Sequence, residues 1–409
     1  MANEATTLSS DIDERTAASI RREDRFTLTT YSKLPIVVER GEGSFIWDDT
    51  GRRFLDFYGG HCVTVIGHAP PRVAAAISDQ ASRLIFYSNA VYSDIRSRAA
   101  ERLISLCPDH LVQAFLCNSG TEANEAALKM ARKTTGRTRV VAMDSGFHGR
   151  TLGSLAVTSG SAYRSPYEPL LPEVTFVPFG DAGALETALG EHPVAGVILE
   201  PIQSMAGVVT AEAEYFRTIA SLTESAGALL IFDEVQTGVG RTGTFSISEY
   251  LGVRPNIVTL AKSLGSGVPV GAVVADRSVS DAVLPGDHGS TFGGGMIAMA
   301  AMLATLEAVS EPGVMDRASI VYETIARAAA DVGYSARGRG CLIGLDVGRE
   351  CREIRQFLFE SDVIVGSSSD PNVFRVFPPL TVTDDELDLF VAALQTVSAS
   401  VEQQASADV

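Results

Sequence analysis

The sequence predicts an α/β protein with one large, mostly parallel seven-stranded sheet and a smaller α+β domain. Seven short apolar runs alternate with helical stretches in the middle of the chain. Runs that are apolar on both faces and separated by helices are typical of parallel strands covered on both sides. After Glu311-Pro312-Gly313 the pattern changes to helices alternating with short strands, which indicates a second, smaller domain.

The chain opens with a polar, charged segment to about residue 30, for which we expect a helical or mobile lead-in. An antiparallel meander over "IVVERGEGSFIWDDTGRRFLDF" follows, because Gly41-Glu42-Gly43 and the segment Asp48 to Gly51 read as turns. The long helix expected over "GGGMIAMAAMLATLEAV" closes the large domain. The seven strands of the large sheet are expected at 114–118, 139–145, 174–179, 196–200, 228–234, 257–261 and 271–275.

These elements predict three units along the chain. Residues 1–60 form an N-terminal segment that joins the small domain, 61–310 form the large domain, and 311–409 form the C-terminal small domain. A chain of 409 residues is long enough for two or three domains and a large core.

Composition excludes several classes of partner. The formal net charge of -17 argues against nucleic acid or an anionic membrane, since either would repel such a surface.

No apolar run approaches about 18 residues, and the N-terminus has no apolar core of a secretory signal, so we expect a cytoplasmic protein. The five cysteines form no CxxC pair and the six histidines no HExxH motif, so neither a disulfide framework nor a metal site is expected.

Polar side chains follow five of the predicted strands. In open α/β sheets, ligands bind beyond the carboxyl ends of the strands, so these residues should share one site. In chain order they are Ser119, Gly120 and Thr121, then Phe147, His148 and Arg150, then Glu200 and Gln203, then Asp233 and Gln236, and finally Lys262.

Each of these residues alone has an ordinary structural explanation. Ser119-Gly120-Thr121 could be only a helix N-cap, Phe147 core packing, and Lys262 a solvated lysine at the rim of a sheet. Together, however, a phosphate cradle, an aromatic ring, a carboxylate and a lysine are what pyridoxal phosphate requires. The lysine amine forms a Schiff base with its aldehyde, and a carboxylate such as Asp233 keeps the pyridine nitrogen protonated.

Longer motifs resemble a known family. The segments "LLIFDEVQTGVGRTGTF", "IVTLAKSLGSGVPVGAVV", "NSGTEANEAALKMAR", "FHGRTLGSLAVT", "ILEPIQ" and "HGSTFGGG" are similar to those of class III (ornithine/acetylornithine-type) aminotransferases of PLP fold type I. The likeness runs from about Tyr31 to the C-terminal helix. The Asp-Glu-Val-Gln-Thr-Gly run with a lysine downstream is a specific signal, whereas the Ser-Gly-Thr turn is weak.

This resemblance implies a role for each matching residue. Lys262 is the Schiff-base lysine and proton carrier, and Asp233 pairs with the pyridine nitrogen. Thr291 resembles the threonine that reaches the phosphate of the neighbouring subunit, which implies a homodimer with shared active sites. The other expected cofactor contacts are Ser119, Gly120 and Thr121 at the phosphate, Phe147 and Val235 on the two ring faces, Gln236 near the phenolic oxygen, and His148 and Glu200 beside the ring.

The resemblance also implies the substrate contacts. Arg375 sits where the family binds the α-carboxylate of glutamate or 2-oxoglutarate, and Arg150 with Tyr31 resembles the pair that takes the far carboxylate of an ornithine-like donor. A guanidinium suits this task because its planar fork grips a carboxylate in two places. His61 falls on the substrate face, where a specificity contact and a plain structural histidine are equally good readings.

One stretch departs from the family. After Gln203 these enzymes usually read Gly-Glu-Gly or Gly-Glu-Ala, and the glutamate pairs with the α-carboxylate arginine; this chain has Ser204-Met205-Ala206. Arg375 therefore remains solvated, pairs with another carboxylate of the protein, or waits for a substrate carboxylate in both half-reactions. The asparagine-proline or serine-proline that often follows the glycines of "TFGGGMIAM" is also missing, and nothing in the sequence explains that difference.

We expect an aminotransferase that moves the terminal amine of an acylated ornithine-like (or homologous lysine-pathway) donor to 2-oxoglutarate. Another ω-amine donor or a semialdehyde aminomutase remains open within PLP chemistry. A nucleotide-binding protein with Lys262 on phosphate is a different class, but no GxxxxGK[ST] motif is present. A non-enzymatic relative would not need both Lys262 and Asp233.

Overall fold

The computed structural model of the protein describes the backbone of residues 13–407 and the side chains of residues 13–401. Residues 1–12 of the expected lead-in lie outside the described part, and helix α1 forms most of the rest. The strands are β1 Val38–Glu42, β2 Phe45–Asp48, β3 Arg53–Asp56, β4 Leu111–Cys117, β5 Arg139–Met143, β6 Val174–Val177, β7 Val194–Leu199, β8 Leu229–Asp233, β9 Ile257–Leu260, β10 Gly271–Asp276, β11 Ser335–Arg339, β12 Leu342–Asp346, β13 Val363–Ile364, β14 Gly366–Ser367 and β15 Val373–Val376.

The helices include several single turns. They are α1 Glu14–Phe26, α2 Gly59–Cys62, α3 Pro71–Arg83, α4 Asp94–Leu106, α5 Gly120–Thr135, α6 Leu152–Ala156, α7 Ser161–Arg164, α8 Ala182–Glu191, α9 Ala213–Ser225, α10 Ile247–Leu251, α11 Arg277–Ala282, α12 Met296–Val309, α13 Arg317–Asp331, α14 Arg352–Glu360 and α15 Asp384–Ala407.

The large sheet has seven strands in the order β4-β10-β9-β8-β7-β5-β6. These are the seven strands expected from the sequence, and the mostly parallel α/β fold is confirmed. Only β10 runs antiparallel to its neighbours β4 and β9. Because the other six strands are parallel, their carboxyl ends meet at one edge of the sheet.

Helices cover both faces of this sheet. Helix α5 buries a stripe of small side chains, Ala123, Ala127 and Ala131, in one cluster with strand residues such as Ile231. Small side chains let the helix axis approach the sheet. Because α5 begins directly after β4 ends, its N-terminus lies at the carboxyl edge. Helix α12 is buried nearly all round, as expected for its continuous apolar sequence.

Two smaller sheets complete the molecule. The predicted meander β1-β2-β3 is antiparallel, and β13 from the C-terminal part adds to it in parallel beside β3. The second small sheet has the order β11-β12-β15-β14, with Arg375 on its inner strand β15. The pairing of β13 with β3 agrees with joining the N-terminal segment to the small domain, although the bounds 1–60, 61–310 and 311–409 stay a prediction.

No helix within residues 13–407 is both long and apolar enough to cross a membrane.

Candidate active site

A cavity of about 390 Å³ opens at the carboxyl edge of the large sheet. We call it the carboxyl-edge cavity. The structure brings most of the predicted site residues to it, whereas Tyr31, His61, Thr291 and Arg375 do not line it. The predicted residues that do line it are Ser119, Gly120, Thr121, Phe147, His148, Arg150, Glu200, Asp233, Val235, Gln236 and Lys262.

Lys262 begins the turn that follows β9, and its side chain lines the cavity. Its backbone lies in the left-handed region with a φ of 46°, which costs a non-glycine residue on the order of 1 kcal/mol. Such strain is often found at functional residues. Burial lowers the pKa of the Lys262 amine, and the nearby Asp233 and Glu200 carboxyls oppose this shift. A lysine with a lowered pKa is more readily deprotonated, which is the state that attacks a carbonyl carbon.

Asp233 ends β8 and is 4% exposed. Its Oδ2 accepts hydrogen bonds from His148 Nδ1 and Asn124 Nδ2, both at 2.7 Å, and its Oδ1 accepts from the backbone N–H of Val235 at 3.1 Å. His148 is thus a partner of the carboxylate at the end of the cavity. Asn124 was missed in the sequence, because one asparagine within a helix carries no signal of its own.

The N-terminus of α5 forms the other end of the cavity. Ser119 caps the helix by accepting from Glu122 N–H at 3.3 Å. The backbone N–H groups of Gly120 and Thr121, which begin the helix, have no partner within it. A Cβ at Gly120 would lie 2.9 Å from both methyl carbons of Val235, so only glycine lets the start of α5 lie this close to Val235. These free donors and the positive end of the helix dipole suit a phosphate group.

Phe147 and Val235 contribute apolar surface to the cavity between these two ends. Glu200, 3% exposed, holds Phe147 by accepting its backbone N–H at 2.8 Å. Burial raises the pKa of Glu200 to about 7, and the neighbouring Asp233 adds to this effect while His148 and Lys262 oppose it. The cavity therefore offers a phosphate cradle, apolar walls, a buried carboxylate and a lysine in one place, and these residues fit pyridoxal phosphate.

Arg375 is 1% exposed on β15, and no carboxylate among residues 13–401 pairs with it. Its Nε donates to Ser367 O at 2.5 Å, its Nη1 to Ser204 Oγ at 3.2 Å and its Nη2 to Tyr58 Oη at 3.5 Å. Ser204 in turn donates to Gln236 Oε1 at 3.0 Å. Of the three outcomes raised by the departure at Met205, the first two are not found among the described residues, because Arg375 is buried and its partners are neutral. That it waits for a substrate carboxylate stays a prediction.

A left-handed turn lies beside Arg375. The four residues Gly59–Cys62 all have φ between 55° and 70°, although His61 and Cys62 carry side chains. This backbone brings His61 Nδ1 into hydrogen-bond contact with the Tyr58 hydroxyl. Burial of the ring, together with Arg375 and Lys262, lowers the pKa of His61 to about 4, so the imidazole is neutral at pH 7. His61 is thus placed near both cations of the site, although solvent also reaches it.

Arg150 lies at the mouth of the cavity and, like Arg375, has no carboxylate partner among the described residues. Its guanidinium carbon lies 4.1 Å from the ring centroid of Tyr163 and 5.4 Å from that of Phe147. Tyr163, which the sequence did not reveal, therefore holds Arg150 by a cation–π contact. Tyr31 is 79% exposed and lines a separate cavity with Tyr58, so its pairing with Arg150 stays a prediction.

Thr291 is exposed on the loop between α11 and α12. The loop is held by bonds from inside the chain: Asn118 Nδ2 donates to Ser290 Oγ at 3.1 Å, and Asn89 Nδ2 donates to Gly293 O at 2.9 Å. Thr291 does not line the carboxyl-edge cavity of its own chain.

The fold and the site together define a pyridoxal-phosphate-dependent transaminase of fold type I. The chain belongs to the Aminotransferase class-III family, whose model matches residues 27–397. It is 42% identical to the acetylornithine aminotransferase of Methanopyrus kandleri over 91% of this chain and 96% of that protein. It is 39% identical to the acetylornithine aminotransferase of Mycobacterium tuberculosis H37Rv over 93% and 96% of the two chains.

Solved structures show the same fold. The ornithine aminotransferase of Toxoplasma gondii ME49 superposes with a TM-score of 0.91 at 29% identity, covering 97% of both chains. The acetylornithine aminotransferase of Elizabethkingia anophelis superposes with a TM-score of 0.83 at 27% identity, covering 94% of this chain and 99% of that one. The family and the fold expected from the sequence are both confirmed.

Proposed function

We propose that this transaminase moves the terminal amine of N-acetylornithine, or of a close homologue, to 2-oxoglutarate. The observation that carries the proposal is that two guanidiniums without carboxylate partners among the described residues lie near Lys262. Arg150 lines the same cavity, and Arg375 is close enough to add to the effect of burial in lowering the pKa of the lysine. Two free guanidiniums suit a dicarboxylate such as 2-oxoglutarate, and Arg150 at the mouth suits the single carboxylate of a long donor. The relatives' name, acetylornithine aminotransferase, supports this donor class.

Each residue then has a chemical task. When bound, pyridoxal phosphate supplies an electron sink for the carbon that loses its proton. Lys262 Nζ takes that proton and returns it, which its lowered pKa favours. Asp233 would stabilise the positive ring nitrogen and Gln236 would serve the phenolic oxygen. Phe147 and Val235 would hold the ring, and Ser119, Gly120 and Thr121 would hold the phosphate. His148 and Glu200 orient this set through Asp233 and Phe147.

A screen of half-reactions tests the donor. The loaded enzyme is mixed with N-acetylornithine, ornithine, N-acetyllysine, 4-aminobutyrate or glutamate, without acceptor, and the loss of the visible cofactor band is timed. We expect fast bleaching with the acylated donors and with glutamate. Faster bleaching with 4-aminobutyrate or unacylated ornithine would favour another ω-amine donor, and isomerisation of a semialdehyde without any acceptor would identify an aminomutase.

We also propose that the chain works as a homodimer with shared active sites. The face around the Thr291 loop carries exposed apolar side chains, and a contiguous apolar surface of this kind usually marks an interface. These side chains include Leu84, Tyr87, Tyr92 and Phe292. Light scattering should give twice the monomer mass, and Thr291→Val should weaken pyridoxal phosphate binding although Thr291 does not line the cavity of its own chain. A monomer with full affinity would contradict the proposal. The expected cytoplasmic location stays a prediction.

A further inference from the structure

We propose that Asn124 is a positioning residue for the cofactor, acting through Asp233, and that Thr259 fixes its orientation. This inference rests on the proposed pairing of Asp233 with the ring nitrogen. Asn124 lies on the sheet-facing side of α5 and is 1% exposed, and Thr259 on β9 is fully buried. Asn124 lines the carboxyl-edge cavity beside Asp233, whereas Thr259 does not line it.

The amide of Asn124 binds both members of the Asp233–His148 pair. Its Nδ2 donates to Asp233 Oδ2 at 2.7 Å and to the backbone oxygen of His148 at 2.7 Å. The hydroxyl of Thr259 donates to Asn124 Oδ1 at 2.8 Å, which requires the oxygen end of the amide to face β9. The amide therefore has one orientation, with both of its N–H groups used.

This network decides which carboxylate oxygen meets the cofactor. An ionised carboxylate oxygen accepts about two hydrogen bonds. Oδ2 of Asp233 is filled by Asn124 and His148, whereas Oδ1 has only the Val235 N–H. The geometry thus leaves Oδ1 as the oxygen with room for the ring N–H. Without Asn124 the carboxylate would lose a charge-assisted bond and could rotate about its side-chain torsion.

Ligand affinity tests this role without relying on turnover. The apo-protein is titrated with pyridoxal phosphate and with the analogue that has a C–H group in place of the ring nitrogen. Only the first ligand offers Asp233 a positive N–H. We expect Asn124→Leu to weaken pyridoxal phosphate about 10-fold, the size of one charge-assisted hydrogen bond, and the analogue less than about 2-fold. Thr259→Val, which keeps the side-chain shape, should give a smaller loss with the same preference.

A matched control comes from the opposite end of the sheet. Asn256 also bridges a strand and a carboxylate, since it accepts from Leu230 N–H and donates to Asp276 at 2.8 Å, but it does not line the cavity. Asn256→Leu should therefore not change the ratio of the two affinities. If Asn124→Leu and Thr259→Val weakened both ligands equally, or neither, the inference would be wrong.

Asp233→Ala separates this inference from the assignment beneath it. If Asp233→Ala weakens pyridoxal phosphate much more than the analogue and the Asn124 and Thr259 variants do not, only the role of Asn124 fails. If Asp233→Ala weakens the two ligands equally, the pairing of Asp233 with the ring nitrogen fails as well.

Discussion

Replacing Arg375 with methionine should stabilise the fold while damaging binding of the 2-oxo acid. The guanidinium is 1% exposed and its three hydrogen-bond partners, in Ser367, Ser204 and Tyr58, are neutral. Burying an ion costs several kcal/mol, which neutral partners repay only in part. In the variant the Ser367 carbonyl loses its donor, at about 1–2 kcal/mol, while Ser204 and Tyr58 keep Gln236 and His61 as partners. The net gain in the free energy of unfolding should be about 1–3 kcal/mol.

The catalytic effect should have the opposite sign. Loss of two charge-assisted bonds to a carboxylate, at about 1.5–3 kcal/mol each, should raise KM for 2-oxoglutarate by about 100-fold or more. KM for the acylated donor, held by Arg150, should change much less. Urea unfolding of the cofactor-loaded protein and steady-state kinetics with each substrate varied measure the two effects.

Arg241→Met is the matched control for both measurements. Arg241 is also fully buried, and its Nη1 donates to Pro378 O at 2.6 Å while its Nε and Nη2 have no partner among the described residues. Unlike Arg375, it donates to neither Ser204 nor Tyr58 and is not among the charges that shift the pKa of Lys262, so KM for 2-oxoglutarate should not change. A clear loss of stability in Arg375→Met, or equal damage to both substrates, would refute the view that Arg375 is a buried cation kept for a substrate carboxylate.

Three further predictions follow from the site and its surroundings. Lys262→Ala should abolish the borohydride-reducible bond to the cofactor together with turnover, and turnover near that of the wild type would show that another amine is used. Arg150→Ala should raise KM for the donor more than KM for glutamate, and Tyr163→Leu should do the same to a smaller extent, because Tyr163 only holds the guanidinium; a kcat effect alone would count against this. Burial raises the pKa of Glu234 from 4.5 to about 7, against the opposing donors of Ser246 and Ile247. Protonated Glu234 therefore contributes stability in full below pH 4.5, and this is lost as pH rises through 7. Glu234→Gln should remove about 3 kcal/mol of that pH dependence in urea unfolding, and an unchanged pH profile would contradict it.

Much of the fold and the cofactor end of the site could be predicted from the sequence. Apolar runs of strand length marked all seven strands of the large sheet, and each polar residue at a strand end was expected at the same edge. Parallel strands place their carboxyl ends together whatever the details of packing, so Lys262 and Asp233 were expected to meet. The antiparallel direction of β10 was not foreseen, since a short apolar run does not reveal which way its strand points.

The sequence by itself thus determined the family, the cofactor and the place of Lys262 at the carboxyl edge, because these depend on local motifs and on a rule that holds for every parallel sheet. Only the tertiary structure decided what surrounds them. Arg375 meets Ser204 and Tyr58 across 171 and 317 residues, and Asn124 meets Asp233 across 109. Such contacts depend on how far a helix is rotated against its sheet and on a left-handed turn at Gly59–Cys62, neither of which a residue pattern encodes. The same packing gives Arg375 neutral hydrogen-bond partners, and that it waits for a carboxylate from the substrate stays a prediction.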